Sequence, residues 1–217
     1  MGSARCCWQS ESMHLLKRFG QGELGLNRIE GFSAIIVTLL VLEVKVPILH
    51  DHSSTSELGK RLVDLGPKFL SWLISFIIVC KFWLNHHHLL TFARHATYGM
   101  IWLNSIFLMG QAFIPFPTAL MGEYPMNPLA VSLFGAVMAV NTLLFIGLQS
   151  YILRNLIKPG MISAQVPHLM QKSLVGVISY LFGVAAGWFD VHAAFVPYAL
   201  TPLFFITPPQ GRRGLEK

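Results

Sequence analysis

Charged residues are scarce in this sequence. Asp, Glu, Lys and Arg make up 12% of its 217 residues, whereas a soluble globular domain carries about 25%. So few charges cannot cover a surface that faces water, and 53% of the residues are hydrophobic. The composition therefore excludes an ordinary soluble domain and predicts an integral membrane protein.

Cysteine is also rare, with Cys6, Cys7 and Cys80 only. Adjacent cysteines seldom bridge each other and Cys80 lies in an apolar run, so we predict neither a disulfide scaffold nor a metal site. The sequence contains no GxSxG motif, no Gly-rich phosphate loop and no pair of carboxylates within an apolar run. We therefore expect no enzyme activity, no cofactor and no bound metal.

Acidic residues are outnumbered by basic ones, which gives a net charge of +6. The basic residues are scattered over short connections and form no stripe, so we do not expect a nucleic-acid partner. In a membrane protein, an excess of basic residues usually reflects positively charged cytoplasmic connections and their contact with anionic lipid headgroups. Residues 1–27 form a polar leader without a signal-peptide core, which we expect to be disordered, and residues 208–217 form a basic cytoplasmic tail.

Long apolar runs are the abundant feature. A transmembrane helix needs about 20 mostly apolar residues, and six runs approach that length, although five or seven spans would also fit the pattern. We predict an all-α integral membrane domain over residues 28–207 with six transmembrane helices. The runs are Ile29–Pro47, Pro67–Leu84, Tyr98–Met121, Pro128–Leu153, Leu174–Phe189 and Ala193–Ile206.

The basic residues also predict the topology. With six spans, the outer connections hold only Lys45, Lys60, Arg61 and Lys68, all before or at the start of the second span. The other basic residues outside the spans fall on the inner side. The positive-inside rule then places both termini in the cytoplasm.

The first apolar run offers a possible pore face. Ile35, Thr38, Leu39, Leu42 and Val46 follow the spacing of one helical stripe. Charges occur only at the two ends of the run. We interpret the stripe as the lining of an ion pore, although a Leu/Ile stripe by itself is more often packed core.

Polar residues within the other runs are candidates for function or for helix packing. For Asn104, Gln111 and Asn141 we predict hydrogen bonds between helices. For Lys81 we predict an amine that extends to the nearer membrane surface. We expect Glu123 to be a solvated residue in a short turn.

Three consecutive histidines follow Trp83 and Asn85. Successive side chains on a helix point about 100° apart, so three neighbours cannot bind one ion. We interpret the cluster as a polar network at the membrane interface, with Trp83 as an interfacial aromatic residue.

Four stretches together are similar to one known family. They are RIEGFS and AIIVTLLVLEVKVP within 28–47, FWLNHHHLL at 82–90, IWLNSIFLMGQAFIPFPTALMGEY at 101–124 and VMAVNTLLFIGL at 137–148. In this order they resemble the transmembrane protein 175 family of potassium channels, in its six-span bacterial form.

The resemblance implies a potassium-selective cation channel that lacks the TVGYG filter of other potassium channels. It also implies a homotetramer in the lipid of a bacterial inner or cell membrane, with the first helix of each chain lining a central pore for K⁺. By the same resemblance Ile35, Leu39 and Leu42 form an apolar constriction, and Thr38 forms a polar ring linked to selectivity.

The resemblance further implies a structural network behind the pore helix. Its members match Arg28, Phe32, Ser33, Trp83, His86 and His87. The family has an aspartate and then about three more apolar residues after the serine, whereas Ser33 here runs directly into Ala34. This difference leaves open a non-conducting member of the family. Asn104, Gln111 and the histidines leave open a polytopic membrane transporter.

Overall fold

The fold is all-helical, as predicted. The computed structural model describes residues 38, 40–42, 44–49, 53–157 and 166–206, with the backbone alone at 166–169 and 203–206. We number the helices of this part of the chain in order. They are α1 (Thr55–Asp64), α2 (Gly66–Thr91), α3 (Tyr98–Ala112), α4 (Pro115–Glu123), α5 (Pro128–Asn155), α6 (Val166–Ala186) and α7 (Val191–Ile206).

Within the described residues, three segments are long and apolar enough to cross a membrane. They are Gly66–Thr91, Tyr98–Glu123 and Pro128–Asn155. Each contains or closely overlaps a predicted span, so the second, third and fourth predicted spans are confirmed. The second span is longer than predicted, because the histidine cluster continues the helix of α2 instead of ending it.

The last two predicted spans correspond to separate helices. A turn at Gly187–Phe189 ends α6, with the amide of Gly187 donating to the carbonyl of Gly183 at 3.0 Å. The helix α7 then begins at Val191. The apolar part of α6, Met170–Ala186, is shorter than the three long segments.

The helix α1 begins at a side-chain cap and ends shortly before a proline. The Ser54 side chain accepts a hydrogen bond from the amide of Glu57 at 3.3 Å, which caps the first turn. The helix ends at Asp64, and α2 begins at Gly66 with Pro67 in its first turn. Pro67 is favourable there because the first amides of a helix have no partner within the helix.

The third predicted span is interrupted, which the prediction of one continuous helix missed. The α-helix stops at Ala112 and resumes at Pro115. Pro115 and Pro117 have no amide hydrogen to donate. At the interruption, bonds between residues three apart replace the usual helical bonds, as from the amide of Phe116 to the carbonyl of Phe113 at 3.2 Å. The two halves, α3 and α4, remain one apolar segment by composition.

The predicted extent of the first span is wrong at its end. Helical structure stops at Val41, and Leu42 is already in a turn closed by the amide of Val44 and the carbonyl of Val41 at 3.1 Å. Val46 lies beyond, exposed and outside any helix, so it does not belong to the stripe. Pro47 restricts Val46 to extended conformations, so a helix could not have continued through Val46.

The helix α5 lies at the centre of the bundle. It packs against α3, α4, α6 and α7, while α2 packs against α4 and α7. One continuous cluster of buried apolar side chains connects these helices. Leu40 belongs to that cluster, which ties the end of the first segment to the rest of the fold.

Tyr198 holds α7 against α5 and α6. Its ring is fully buried and its hydroxyl donates to the carbonyl of Val131 at 3.1 Å. Gly135 on α5 and Gly183 on α6 flank the phenol, and a Cβ at either position would collide with it. The absence of these two side chains therefore makes room for the tyrosine between the helices.

We expect Gly135→Ala to destabilise the protein by about 1–3 kcal/mol, because the new methyl group overpacks a closed site. The matched control is Gly147→Ala on the same helix, where a Cβ would meet nothing within 4 Å. Denaturant unfolding in detergent measures both. An equal effect at the two positions would show that the Tyr198 contact is not the cause.

Candidate pore-lining segment and its polar supports

The end of the first segment presents two different faces. Leu40 is fully buried, whereas Val41 is 50% and Leu42 is 68% exposed. Thr38 is helical and exposed as well. Leu40 therefore packs against the rest of the described chain, whereas the side chains of Thr38, Val41 and Leu42 are exposed.

Helical geometry relates these exposures to the predicted stripe. Because each residue advances about 100°, Thr38 and Leu42 share a face, and Leu40 lies on nearly the opposite side. The predicted pore face is thus turned away from the core of its own chain at the two positions that the structure describes. Ile35 and Leu39 lie outside the described residues, and their role stays a prediction.

His86 is the buried member of the histidine cluster. Its Nε2 lies 2.7 Å from Oδ1 of Asn104, which joins α2 to α3 inside the apolar core. The ring also packs 5.4 Å from that of Phe107. The hydrogen bond between helices predicted for Asn104 is therefore confirmed.

The neighbours of His86 point elsewhere. His87 and His88 are exposed, and the His87 ring packs 5.9 Å from that of Trp83 one turn earlier. The buried side chain of His86 and the exposed side chains of His87 and His88 therefore point in different directions. Trp83 and His87 form an exposed pair on the surface of α2. Their predicted partners Arg28, Phe32 and Ser33 lie outside the described residues.

A second polar contact joins α3 to the central helix. Nε2 of Gln111 donates to Oδ1 of Asn141 at 3.1 Å, and both residues are buried. Nδ2 of Asn141 donates in turn to the carbonyl of Val137 at 2.9 Å. The interhelical bonds predicted for Gln111 and Asn141 are confirmed. A Cβ on Gly110 would meet Oδ1 of Asn141, so this contact also depends on close helix approach.

We expect Gln111→Met and Asn141→Leu each to cost about 1–3 kcal/mol, because each leaves a buried amide without its partner. The double variant should lose less than the sum of the two, since neither polar group then remains. Unfolding free energies in detergent provide this double-mutant cycle. Strictly additive losses would indicate that the two amides do not stabilise each other.

Two hydroxyl pairs and one hydroxyl–amide bond between helices were not anticipated from the sequence. Ser75 and Thr118 join α2 to α4 at 2.7 Å. Ser173 donates to Gln149 at 2.9 Å, and Ser179 pairs with Thr201 at 2.6 Å. Small polar residues often lie where membrane helices meet, but their spacing does not reveal which residues pair.

Lys81 lines a small internal cavity of about 30 Å³ among α2, α5, α6 and α7. Asn85, Thr142 and Ser173 contribute polar groups to the same cavity. The Lys81 side chain is half-buried, and the charge of Lys172 is close enough to repel it.

Glu123 is solvated, as expected, and it also forms an ion pair that was not predicted. Its carboxylate lies 2.6 Å from Nζ of Lys68, so the end of α4 is bonded to the start of α2. A Cβ on Gly122 would meet the Lys68 backbone at 3.1 Å, which explains how the two helix ends come so near. Both charged side chains keep contact with solvent, at 32% and 55% exposure.

Comparisons with known proteins agree with these features. The family model described as "Endosomal/lysosomal potassium channel TMEM175" matches residues 28–115. A potassium channel of Chryseobacterium sp. is 30% identical over 188 residues, which cover 84% of this chain and 93% of that protein. A potassium channel of Chamaesiphon minutus is 37% identical over 132 residues, or 58% of this chain and 64% of that relative.

A solved structure has the same fold. It is the crystal structure of a lysosomal potassium-selective channel TMEM175 homolog from Chamaesiphon minutus. The TM-score is 0.72 at 28% identity, and the match covers 84% of this chain and 97% of that one. The near-complete coverage of two bacterial relatives and the match of the family model lead to one conclusion: the chain belongs to the TMEM175 family.

Proposed function

We propose that this protein is a potassium-selective channel that conducts K⁺ passively, with four identical chains around one pore. The observation that carries the proposal is the asymmetry of the first segment. Leu40 is buried in the core of its own chain, while Thr38 and Leu42 on the other side are exposed. In a symmetric assembly such a face can meet its copies around an axis.

The proposed pore is apolar at its narrowest part. Rings of Ile35, Leu39 and Leu42 offer no oxygen atom to an ion and exclude the water that hydrates it. They would therefore raise the barrier to the passage of K⁺. The hydroxyl of Thr38 lies between these rings in the sequence and would supply a polar ring. Oxygen atoms that replace water around the ion are the usual basis of selectivity for K⁺.

The described bundle would serve as the support of that pore. The buried pairs His86–Asn104 and Gln111–Asn141 tie α2, α3 and α5 together by side-chain hydrogen bonds within the apolar core. A rigid bundle would keep the first helix in one position, which a narrow pore requires. Trp83 and His87 remain exposed on α2, where we propose that the Arg28, Phe32 and Ser33 part of the first helix packs.

We further propose six membrane spans with both termini in the cytoplasm of a bacterial inner or cell membrane. Three long apolar segments, the two helices α6 and α7, and the first segment would make up the six. The inner connections then hold most of the basic residues. Membrane lipid would cover the remaining exposed apolar side chains.

Flux through liposomes tests the proposal. Reconstituted full-length protein should release K⁺ down its gradient, faster than Na⁺, and without saturation at high K⁺ concentration. An active potassium channel in parallel liposomes serves as the positive control. No K⁺ flux under these conditions would contradict the proposal, and a saturable flux that falls when His87 is replaced would indicate a transporter.

The residues that are missing after Ser33, relative to the family pattern, allow a second experiment. Inserting four residues that begin with aspartate adds about one helical turn and therefore keeps the stripe on its face. If the natural chain conducts, the insertion is unnecessary and the proposal holds. If only the inserted form conducts, the natural chain is a non-conducting member of the family.

A further inference from the structure

A cleft lies where α1, α2 and α4 meet residues 44–48. It consists of an inner cavity of about 90 Å³ and an outer one of about 440 Å³. Lys45 and Lys68 line both cavities, so the two are adjacent parts of one recess. We call it the basic cleft.

The charges of the basic cleft do not balance within the described chain. Lys68 is bonded to Glu123 at 2.6 Å. Lys45, Arg61 and Asp64 also line the cleft, and none of the three forms an ion pair with the described residues. Three cations and two carboxylates leave one net positive charge, which matches the single negative charge of a phosphodiester.

The inner cavity also contains a hydrogen-bond donor without an acceptor. Trp72 lines it, and the buried Nε1 of its indole finds no partner in the described part of the chain. Leaving such an N–H unbonded costs about 1–3 kcal/mol. Among the residues that line the inner cavity, Thr118 carries a hydroxyl, and this hydroxyl is already bonded to Ser75 and to the carbonyl of Ile114. An oxygen atom from outside the chain would satisfy the indole.

The position of the basic cleft indicates which kind of molecule supplies that oxygen atom. The second apolar segment begins at Gly66 and the third ends at Glu123, so the cleft lies at one boundary of the membrane. Exposed apolar side chains at Phe69, Leu70 and Leu73 continue from Lys68 along α2. A lipid could place its charged group in the cleft and its acyl chains along this surface.

We propose that the basic cleft binds the phosphate group of an anionic phospholipid. Lys45 and Arg61 attract the phosphate, the pair Lys68–Glu123 fixes one wall, and the indole of Trp72 donates to a phosphate oxygen. Charged residues near a membrane surface each contribute enough to make such sites selective for anionic lipid. This inference does not depend on conduction.

Native mass spectrometry of the full-length protein in detergent tests the site. The probes are phosphatidylglycerol and phosphatidylcholine with identical acyl chains, and inorganic phosphate. The wild-type protein should retain one phosphatidylglycerol per chain and prefer it over phosphatidylcholine. The double variant Lys45→Gln/Arg61→Gln should bind it roughly tenfold more weakly.

The matched control is Lys60→Gln, which removes an exposed cation from α1 outside the cleft and should leave binding unchanged. Trp72→Phe keeps the ring, removes the N–H and should weaken binding by roughly threefold or more. Unfolding midpoints near that of wild type establish that each variant is folded, and a variant that misfolds is replaced by Arg61→Gln alone.

Two results would overturn the proposal. One is equal retention of phosphatidylglycerol by the wild-type protein and the cleft variants. The other is a site that takes inorganic phosphate but does not distinguish phosphatidylglycerol from phosphatidylcholine, which would indicate a free anion in place of a lipid. A protein that conducts no K⁺ would still bind the lipid if the inference is correct.

Discussion

Replacing Leu39 by asparagine is expected to raise K⁺ flux through the reconstituted protein about tenfold, which requires only about 1.4 kcal/mol less barrier. In the proposed assembly the change puts four amides where an apolar ring held back water and ions. A polar ring admits water, so the ion keeps more of its hydration in the narrow part. Ile35→Asn and Leu42→Asn should act in the same direction.

The same change should also reduce the preference for K⁺ over Na⁺. A wider, wetter pore lets both ions pass with their water, and selectivity then depends on Thr38 alone. Flux assays with the two ions in parallel liposomes measure this ratio.

The control for this experiment is Val41→Asn. Val41 is exposed, yet it is two residues from Leu39 and therefore about 160° around the helix. It should leave both flux and selectivity close to wild type. Unchanged currents in all three stripe variants would place the pore elsewhere in the molecule.

Replacing His86 by alanine is expected to destabilise the protein by about 3 kcal/mol. The variant removes a fully buried ring that packs against Phe107, and the empty volume contributes part of the loss. It also leaves Oδ1 of Asn104 without its 2.7 Å partner in the core. A buried polar atom without a hydrogen bond contributes about 1–3 kcal/mol of the loss.

His88→Ala is the matched control, because His88 lies on the same helix but is exposed. Its replacement should change the unfolding free energy by about 0.5 kcal/mol or less. Denaturant unfolding in one detergent measures both variants. Equal losses would mean that the His86–Asn104 bond does not stabilise the core.

Features that depend on a single segment of the chain could be predicted from the sequence. Apolar length predicted the spans of α2 and α5. Asn104 and Asn141 were correctly expected to bond between helices. An amide in an apolar run has few other ways to satisfy its hydrogen bonds.

Features that depend on two distant segments were missed. Ser75 and Thr118 are ordinary residues in their own helices, and only the packing of α2 on α4 brings their hydroxyls together. The ion pair of Lys68 with Glu123 depends on the same packing and on the small size of Gly122. The sequence around each of these residues gives no indication of which distant residue it contacts.

Two helix boundaries differ from the prediction because hydropathy alone does not determine where a helix ends. Pro115 and Pro117 interrupt the third span, although apolar composition continues across them. The first helix ends at Val41, although the predicted span continues to Pro47, and Val46 therefore lies outside the stripe.

The central claim is that the Thr38–Leu42 face of the first helix lines a K⁺ pathway. Cysteine accessibility tests it most directly, in a background with Cys6, Cys7 and Cys80 replaced by alanine. Thr38→Cys, Leu42→Cys and, as the control on the opposite side of the helix, Leu40→Cys are each reconstituted and treated with a charged, water-soluble thiol reagent while K⁺ flux is recorded. We expect the reagent to block flux through the first two and to leave flux through Leu40→Cys unchanged. Block at Leu40 without block at Thr38 and Leu42 would contradict the account.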